Sequence, residues 1–329
     1  MTLDISLIIP AKDEEQSIPE LTPWISRVMQ THGFSYEVIY IDDGSVDDTW
    51  CQIKKASETN PSVKGLKFNR NFGKSAALHM GFQAAQGDVV ITMDADLQDS
   101  PDEIPGLYKL IKEQKFHLVS GWKKKRHDPI SKTLPSKFFN YVVSRISKIK
   151  LHDFNCGLKA YDVRVVKSIS VYGDMHRYIP VLAKWAGFTK IGEKIVEHRE
   201  RKYGHSKFGW QRLVSGFLDL LTLMFVGKFS KRPMHFFGTF GIFSFLLGSV
   251  LTIMILWDKF ESVFISKIPL KREIAERPIF YLALVALVIG VQLFLTGFLA
   301  ELLARQSVSK KDYLVIERVG DTQKVKMEI

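Results

Sequence analysis

Two stretches in the last third of the chain restrict its fold more than any other feature. Phe236 to Trp257 and Ile279 to Ala300 each run for 22 residues without a charged side chain. At about 1.5 Å per residue, a helix of that length crosses a bilayer hydrocarbon core of about 30 Å. Hydrocarbon offers the backbone no water, so a span must satisfy its own N–H and C=O groups, as a helix does. Two buried helices of a soluble core are the competing reading, and both stretches are too long and too uniformly apolar for it. The spacing therefore predicts two transmembrane helices with their outer flanks on one side. Lys228, Lys231 and Arg232 precede the first span, and Arg305, Lys310 and Lys311 follow the second. The connecting loop, Asp258 to Pro278, also holds five Lys/Arg, so charge bias orients the pair only weakly. The residues before the spans orient it better. They read as a soluble domain without an export signal, which places that domain and both flanks in the cytoplasm.

Leu3 to Pro10 is a short β-rich run with no basic n-region or cleavage site, so it reads as a first core strand. Strand and helix patterns then alternate. Ser17 to Met29 reads as helix, with Ser17 and Glu20 spaced as a capping box. Glu37–Ile41 reads as strand, Asp47–Ser57 as helix, Val63–Phe68 as strand and Gly73–Ala85 as helix. Asp88–Met93 and His117–Gly121 read as further strands, and Ser136–Ile149 as an amphipathic helix. This order predicts an α/β domain with a mostly parallel, Rossmann-like sheet covered on both faces. Gly209 to Phe229 is apolar but broken by Arg212, Asp219 and Lys228, as expected of a helix lying along the membrane interface with Trp210 and Phe217 as anchors. The expected organisation is a soluble domain over 1–208, an interfacial region over 209–232, two spans over 233–305 and a cytoplasmic tail over 306–329.

The formal charge of +11 calls for a polyanionic partner: nucleic acid, anionic lipid or a phosphorylated substrate. Cys51 and Cys156 are the only cysteines and have no metal-ligand spacing, which suits reduced, buried thiols. The basic run Lys123–Arg126 reads as a solvated loop, or as one lying near a membrane surface or a phosphorylated ligand. Four turns rich in acidic residues or glycine each follow a predicted strand: residues 10–15, 42–45, 69–74 and 94–98. A parallel sheet gathers such turns at its carboxyl edge, where open α/β sheets bind ligands. In the last of them Asp94 and Asp96 stand one residue apart. Two carboxylates so close repel, and a cation is their natural compensation. Mg²⁺ or Mn²⁺ takes one or two protein carboxylates and completes its shell with water and phosphate oxygens. The chain has no GxGxxG after the first strand and no GxxxxGK[ST], so neither dinucleotide nor P-loop binding is supported.

The motifs IDDGSVDDT, NRNFGKSAAL, DADLQDSPDEIP, DFNCGLKAY and RKYGHSK together resemble family 2 glycosyltransferases of GT-A fold, in the polyprenyl-phosphate branch. That branch includes dolichyl-phosphate mannose synthase and bacterial undecaprenyl-phosphate glucosyl and aminoarabinosyl transferases. The likeness covers residues 3 to about 305. Asp13-Glu14 stands where the family often has Asn-Glu, and Leu158-Lys159 where some members have Phe-Arg.

The resemblance implies roles. Pro10, Asp13, Glu14 and Asp42 line the pocket for the nucleotide's base and ribose, with Asp43 in support, and Lys74 lies near the sugar or diphosphate. Asp94, Asp96 and Gln98 hold Mg²⁺ or Mn²⁺ on the diphosphate. Arg201, Lys207 and Lys159 position the acceptor's phosphate, with Arg126 a weaker candidate. Asp153 orients Lys159 or the sugar hydroxyls, and Asp42 and Asp43 have helix capping and turn formation as an alternative. His79, His152, His176 and His205 read as surface or core residues. The implied reaction inverts the anomeric centre as a hexosyl group passes from a UDP-sugar, such as UDP-glucose, to undecaprenyl or a similar polyprenyl phosphate. GDP-mannose is the alternative donor. A processive polysaccharide synthase would carry a downstream QxxRW and more spans, and neither is found. The implied partners are the nucleotide sugar, the lipid phosphate and the bilayer, not nucleic acid. The spans serve as an anchor alone or also as a contact between copies.

Overall fold

The computed structural model describes residues 3–124, 140–173, 175–199, 202–203, 233–266, 273–306 and 315–319. The chain divides into two compact units, Met1–Leu220 with Asp312–Ile329, and Leu221–Lys311.

In the first unit, β1 (Ile5–Ala11) is buried at every position except Pro10, as a strand covered on both faces must be. It pairs in parallel with β2 (Tyr36–Asp42) on one side and β4 (Val89–Thr92) on the other, and β2 pairs in parallel with β3 (Val63–Phe68). Parallel neighbours need a crossover. Here α1 (Ile18–Thr31), α2 (Thr49–Thr59) and α3 (Lys74–Ala84) supply them. Ile5, Leu7 and Ile9 of β1 join Ile18, Leu21, Ile25 and Met29 of α1 in one core cluster. On the opposite face, a Cβ at Gly81 of α3 would come within 2.3 Å of Ile8, so the missing side chain sets how closely the helix lies on the sheet.

Beyond β4 the pattern changes. After α4 (Ile104–Lys112) and β5 (Leu118–Trp122), the chain forms β6 (Lys159–Asp162), which inserts antiparallel between β4 and β5. The helices α5 (Val163–Ser168) and α6 (Ile179–Trp185) lead to β7 (Ile191–Ile195), parallel to β5. The order of the eight strands is β7-β5-β6-β4-β1-β2-β3-β8, with β8 (Val315–Val319) antiparallel to β3. Because β6 runs against β4, its start shares an edge with the ends of β1 to β5 and β7. That reversal brings the DFNCGLK segment to the carboxyl edge.

The observed elements follow the expected ones closely in the first half, with Val63–Phe68 identical and α2 starting two residues late. The capping box does not form. Ser17 has helical backbone angles, and its hydroxyl donates to Glu14 Oε2 at 2.5 Å instead of capping α1. Of the expected 136–149 helix, residues 140–147 are helical, and 136–139 lie outside the described residues. The structure also puts a strand, β8, in the segment expected to be a tail. The interfacial stretch 209–232 lies outside the described residues.

The second unit contains α7 (Pro233–Phe260) and α8 (Pro278–Gln306), both long and apolar enough to cross a membrane. Large apolar side chains stay exposed along α7, Phe243 at 68% and Ile253 at 64%, which a soluble core helix would bury. The two helices pack where glycine admits a backbone: a Cβ at Gly241 would lie 2.8 Å from the Gly290 carbonyl oxygen and from the Phe294 nitrogen. Ser244 Oγ donates to the Ala286 carbonyl at 2.8 Å. Small residues at the contact and a hydroxyl bond across it are how helices associate without a hydrophobic drive.

Gly241→Leu should therefore push α7 off α8 and destabilise the hairpin by about 1–3 kcal/mol, the usual cost of overpacking. Thermal melting in detergent checks this, and an unchanged melting temperature would count against close packing at that position.

Candidate active site

The turns after β1 and β2 are laced together. Asp13 has φ +57°, a left-handed angle uncommon for a residue with a side chain. Its N–H donates to Ser45 Oγ at 3.0 Å, while its Oδ1 accepts from Val46 N–H at 3.1 Å. Glu14 N–H donates to Thr49 Oγ1 at 2.7 Å. Pro10, one residue from the end of β1, sits in register with Ile41 beside these turns.

Asp42 and Asp43 do different work at the end of β2. Asp42 is fully buried; its Oδ1 accepts from Ser45 N–H at 2.9 Å, and Oδ2 has no hydrogen-bond partner among the described residues. The turn-forming alternative thus accounts for one oxygen. A buried carboxylate oxygen left bare costs free energy unless a ligand supplies a donor. Asp43 instead braces the third turn: its carboxylate accepts from Phe72 N–H at 2.7 Å and Gly73 N–H at 2.9 Å. Burial pushes the Asp43 carboxyl up, against the pull of those two donors. Gly44 (φ +68°) allows the approach, since a Cβ there would come 2.4 Å from the Arg70 carbonyl carbon.

The turn after β4 carries Asp94, Asp96 and Gln98. Asp94 is ion-paired with Lys74, the first residue of α3. Burial would raise the Asp94 carboxyl, but Lys74 more than offsets it, with help from Lys123 and Lys159, and holds it at about 2. Beneath lies Gly157, where an added Cβ would stand 2.5 Å from Asp94 Oδ2. Asp96 is buried and accepts from Gln98 N–H at 3.2 Å across Leu97, whose φ is +62°. Left-handed angles at Asp13 and Leu97 put backbone strain in two of the turns that form this edge.

Lys159 opens β6 opposite Thr92, and its ammonium donates to the Cys156 carbonyl. Burial lowers its pKa, against the fields of Cys156, Asp153 and Asp94. Asp153 is buried, with Oδ1 accepting from Asn155 N–H at 3.0 Å. Burial lifts the Cys156 thiol to about 12, so it is no nucleophile. Lys123, from the basic run, pairs with the fully buried Asp99 at 2.8 Å. Burial would lower its pKa, but Asp99 overrides this and keeps it protonated.

One edge thus gathers Pro10, Asp13, Glu14, Asp42, Asp43, Lys74, Asp94, Asp96, Gln98, Asp153 and Lys159. Arg126, Arg201 and Lys207 lie outside the described residues. The strand-like segment leading toward Arg201 is tied to the acidic turn: Arg199 N–H donates to the Gln98 carbonyl at 3.0 Å, and Asp99 bridges antiparallel to His198. Gln98 Nε2 reaches back to the Arg199 carbonyl at 3.4 Å, which leaves its Oε1 outward from that contact. Sequence reading missed Gly157, Lys123 as the partner of Asp99, and His176, which bonds Ser75 beside Lys74. Only Gly157 carried a signal, as an isolated glycine between a buried cysteine and a strand.

No group of three His, Cys, Asp or Glu side chains among the described residues could hold a metal by itself. Asp94 and Asp96 with the Gln98 amide fit a hard cation that takes few protein ligands and needs phosphate oxygens to finish its shell. Lys74 is the competing cation already at Asp94, and an ion bound there would release it.

The family described as Glycosyl transferase family 2 matches residues 6–170. Dodecaprenyl-phosphate galacturonate synthase from Rhizobium johnstonii is 36% identical over 92% of this chain and 88% of its own. An undecaprenyl-phosphate 4-deoxy-4-formamido-L-arabinose transferase from Pseudomonas syringae is 35% identical over 77% of this chain and 73% of its own. Among solved structures, glucosyl-3-phosphoglycerate synthase from Mycobacterium tuberculosis, in complex with UDP, superposes with a TM-score of 0.53 at 19% identity, covering 68% of this chain and 80% of that one. That last likeness speaks for the fold, which is GT-A. Sheet order, site and relatives agree, and the chain belongs to the family 2 glycosyltransferases, in their polyprenyl-phosphate branch.

Proposed function

We propose that this enzyme transfers a sugar from a nucleotide diphosphate sugar, with UDP as the preferred nucleotide, to a polyprenyl phosphate at the cytoplasmic face of the membrane. The observation that carries the reading is the meeting of Lys74, Asp94 and Lys159 at one strand edge, beside the half-used carboxylate of Asp42. Asp42 Oδ2 suits a hydroxyl or N–H donor of the nucleoside, with Pro10, Asp13 and Glu14 forming the wall around it. Val315–Val319 rejoin the sheet after the second span, which needs an even number of crossings and agrees with a two-span anchor.

Polyprenyl phosphate as acceptor removes the need for a general base. A sugar hydroxyl must lose a proton that is hard to remove at neutral pH. A phosphate monoester has a second pKa near 6 and arrives largely as a dianion. Its oxygen forms the bond to the anomeric carbon as the bond to the diphosphate breaks, and the electron pair leaves with the nucleoside diphosphate, so the centre inverts. The protein's part is to place two anions face to face. Lys74, released from Asp94, pairs with the diphosphate, and Lys159, steered by Asp153, faces the lipid phosphate. Arg201 and Lys207 hold the lipid phosphate. Asp94, Asp96 and Gln98 would hold Mg²⁺ or Mn²⁺, which when bound neutralises charge on the departing diphosphate. The relatives named above carry galacturonate and a formamido-arabinose in their names, and neither names mannose. This favours the UDP-sugar reading over GDP-mannose and leaves glucose as one donor among several to assay.

Membranes incubated with radiolabelled nucleotide sugars, polyprenyl phosphate and Mg²⁺ should yield labelled lipid, and EDTA should abolish it. No chelator-sensitive label across the UDP- and GDP-sugars would sink the proposal. Asp96→Asn should lose at least about a hundredfold in turnover, in line with removal of a group that stabilises transition-state charge, while inserting in membranes normally. Gly157→Ala should cut activity nearly as far by displacing the Asp94 carboxylate, although residue 157 carries no reactive group. Arg201→Ala should raise KM for the lipid phosphate. A change confined to KM for the nucleotide sugar would remove that residue from the acceptor side.

A further inference from the structure

The chemistry above leaves one half-buried imidazole at this edge without a role. His176 lies in the 3-10 turn Met175–Tyr178, and two hydrogen bonds fasten it to Ser75, the second residue of α3. Ser75 Oγ accepts from the His176 backbone N–H at 3.0 Å and lies 3.0 Å from Nδ1. The hydroxyl has one proton to give, and Nδ1 stands where it can take it. When Ser75 donates there, Nδ1 carries no proton and the ring proton sits on Nε2. Nε2 makes no hydrogen bond to a described residue.

Ser75 adjoins Lys74, whose ammonium is on Asp94, so the ring stands in the field of the site itself. Burial and the charges of Lys74, Arg177 and Lys159 hold the imidazole neutral, well below its ordinary range, against the opposing pull of Asp94. A neutral N–H donor among ammonium groups can bind an anionic oxygen without adding another repelling charge. The two bonds to Ser75 also hold the ring at the start of α3, next to Lys74.

We infer that His176, as its Nε2–H tautomer, donates a hydrogen bond to a phosphate oxygen of bound substrate beside Lys74, and that Ser75 is the positioning residue that sets this tautomer. The inference rests on the transferase reading, and the oxygen belongs either to the nucleotide's diphosphate or to the lipid phosphate.

The test uses the full chain in detergent, with binding of UDP plus Mg²⁺ and of a short, water-soluble prenyl phosphate measured separately by calorimetry. His176→Ala and His176→Phe should weaken one ligand about tenfold or more, the scale of a lost hydrogen bond to a charged group. His176→Gln, whose amide can present a donor near the position of Nε2, should recover most of that loss. Ser75→Ala should show a smaller loss in the same arm, and Ser75→Thr should restore it. Loss in the UDP arm assigns the bond to the diphosphate, and loss in the prenyl phosphate arm assigns it to the acceptor. If Gln and Phe behave alike, or neither arm moves while melting temperatures hold, the inference is overturned. If the His176 variants melt early, the Ser75 pair decides the case with the imidazole still present. These arms need no turnover, so a wild type that binds both ligands but transfers nothing would strike the transferase reading alone.

Discussion

The antiparallel ladder between β4 and β6 is the interaction on which the site depends. Thr92 faces Lys159 across it, so the turn that follows β4 and the segment that precedes β6 meet at the same edge. Thr92 Oγ1 donates to the Gly157 carbonyl at 2.8 Å, which pins the second segment under the first. Asp94 can then rest on a residue with no side chain, and Lys74 reaches it from the start of α3. Moving this pairing by one residue would turn Lys159 to the other face of the sheet. It would also take from the Asp94 carboxylate the field of Lys159, which helps keep it charged.

A second constraint is charge balance within that ladder. Carboxylates at Asp94, Asp96, Asp99 and Asp153 share the edge with ammonium groups at Lys74, Lys123 and Lys159. Asp99 and Lys123 are fully committed to each other, one at 0% and the other at 13% exposure. Breaking either would leave a buried charge unpaired, which costs several kcal/mol as a rule. Lys74 and Asp94 are each a third exposed, and in the proposed reaction theirs is the pair that opens when ligands arrive. On that proposal the site separates an ion pair that holds the fold from one that exchanges partners.

Much of this was legible before any coordinates. The strands β1 to β4 announce themselves as short β-favouring runs, each leading into a turn that holds acid or glycine, and those turns gather because parallel strands share an edge. Asp42, Asp43, Lys74, Asp94 and Asp96 were all readable on that ground. Other features were not. β6 reads Lys-Ala-Tyr-Asp, too short and too polar to look like an interior strand, and its place comes from pairing with distant β4. Ser17 and Glu20 have capping-box spacing, but Glu14 captures the Ser17 hydroxyl first. His176 follows Ser75 by 101 residues, and no local spacing foretells a bond between them. β8, with three β-branched residues in five, carried a strand signal that the tail reading passed over, and it takes the open edge of β3.

That last strand has a consequence for how the molecule is made. β3 is complete at Phe68, yet its outer partner begins at Val315, roughly 250 residues later. At synthesis rates of about 5–20 residues per second, the edge stays bare for on the order of ten seconds to a minute. An unpaired strand edge is a template for association with other chains. On β3 the lysines Lys64 and Lys67 interrupt the apolar run, a charge pattern that discourages strangers until the chain's own last strand arrives. Val315–Val319 therefore close a sheet that β1 to β3 began, after both apolar helices have already been synthesised.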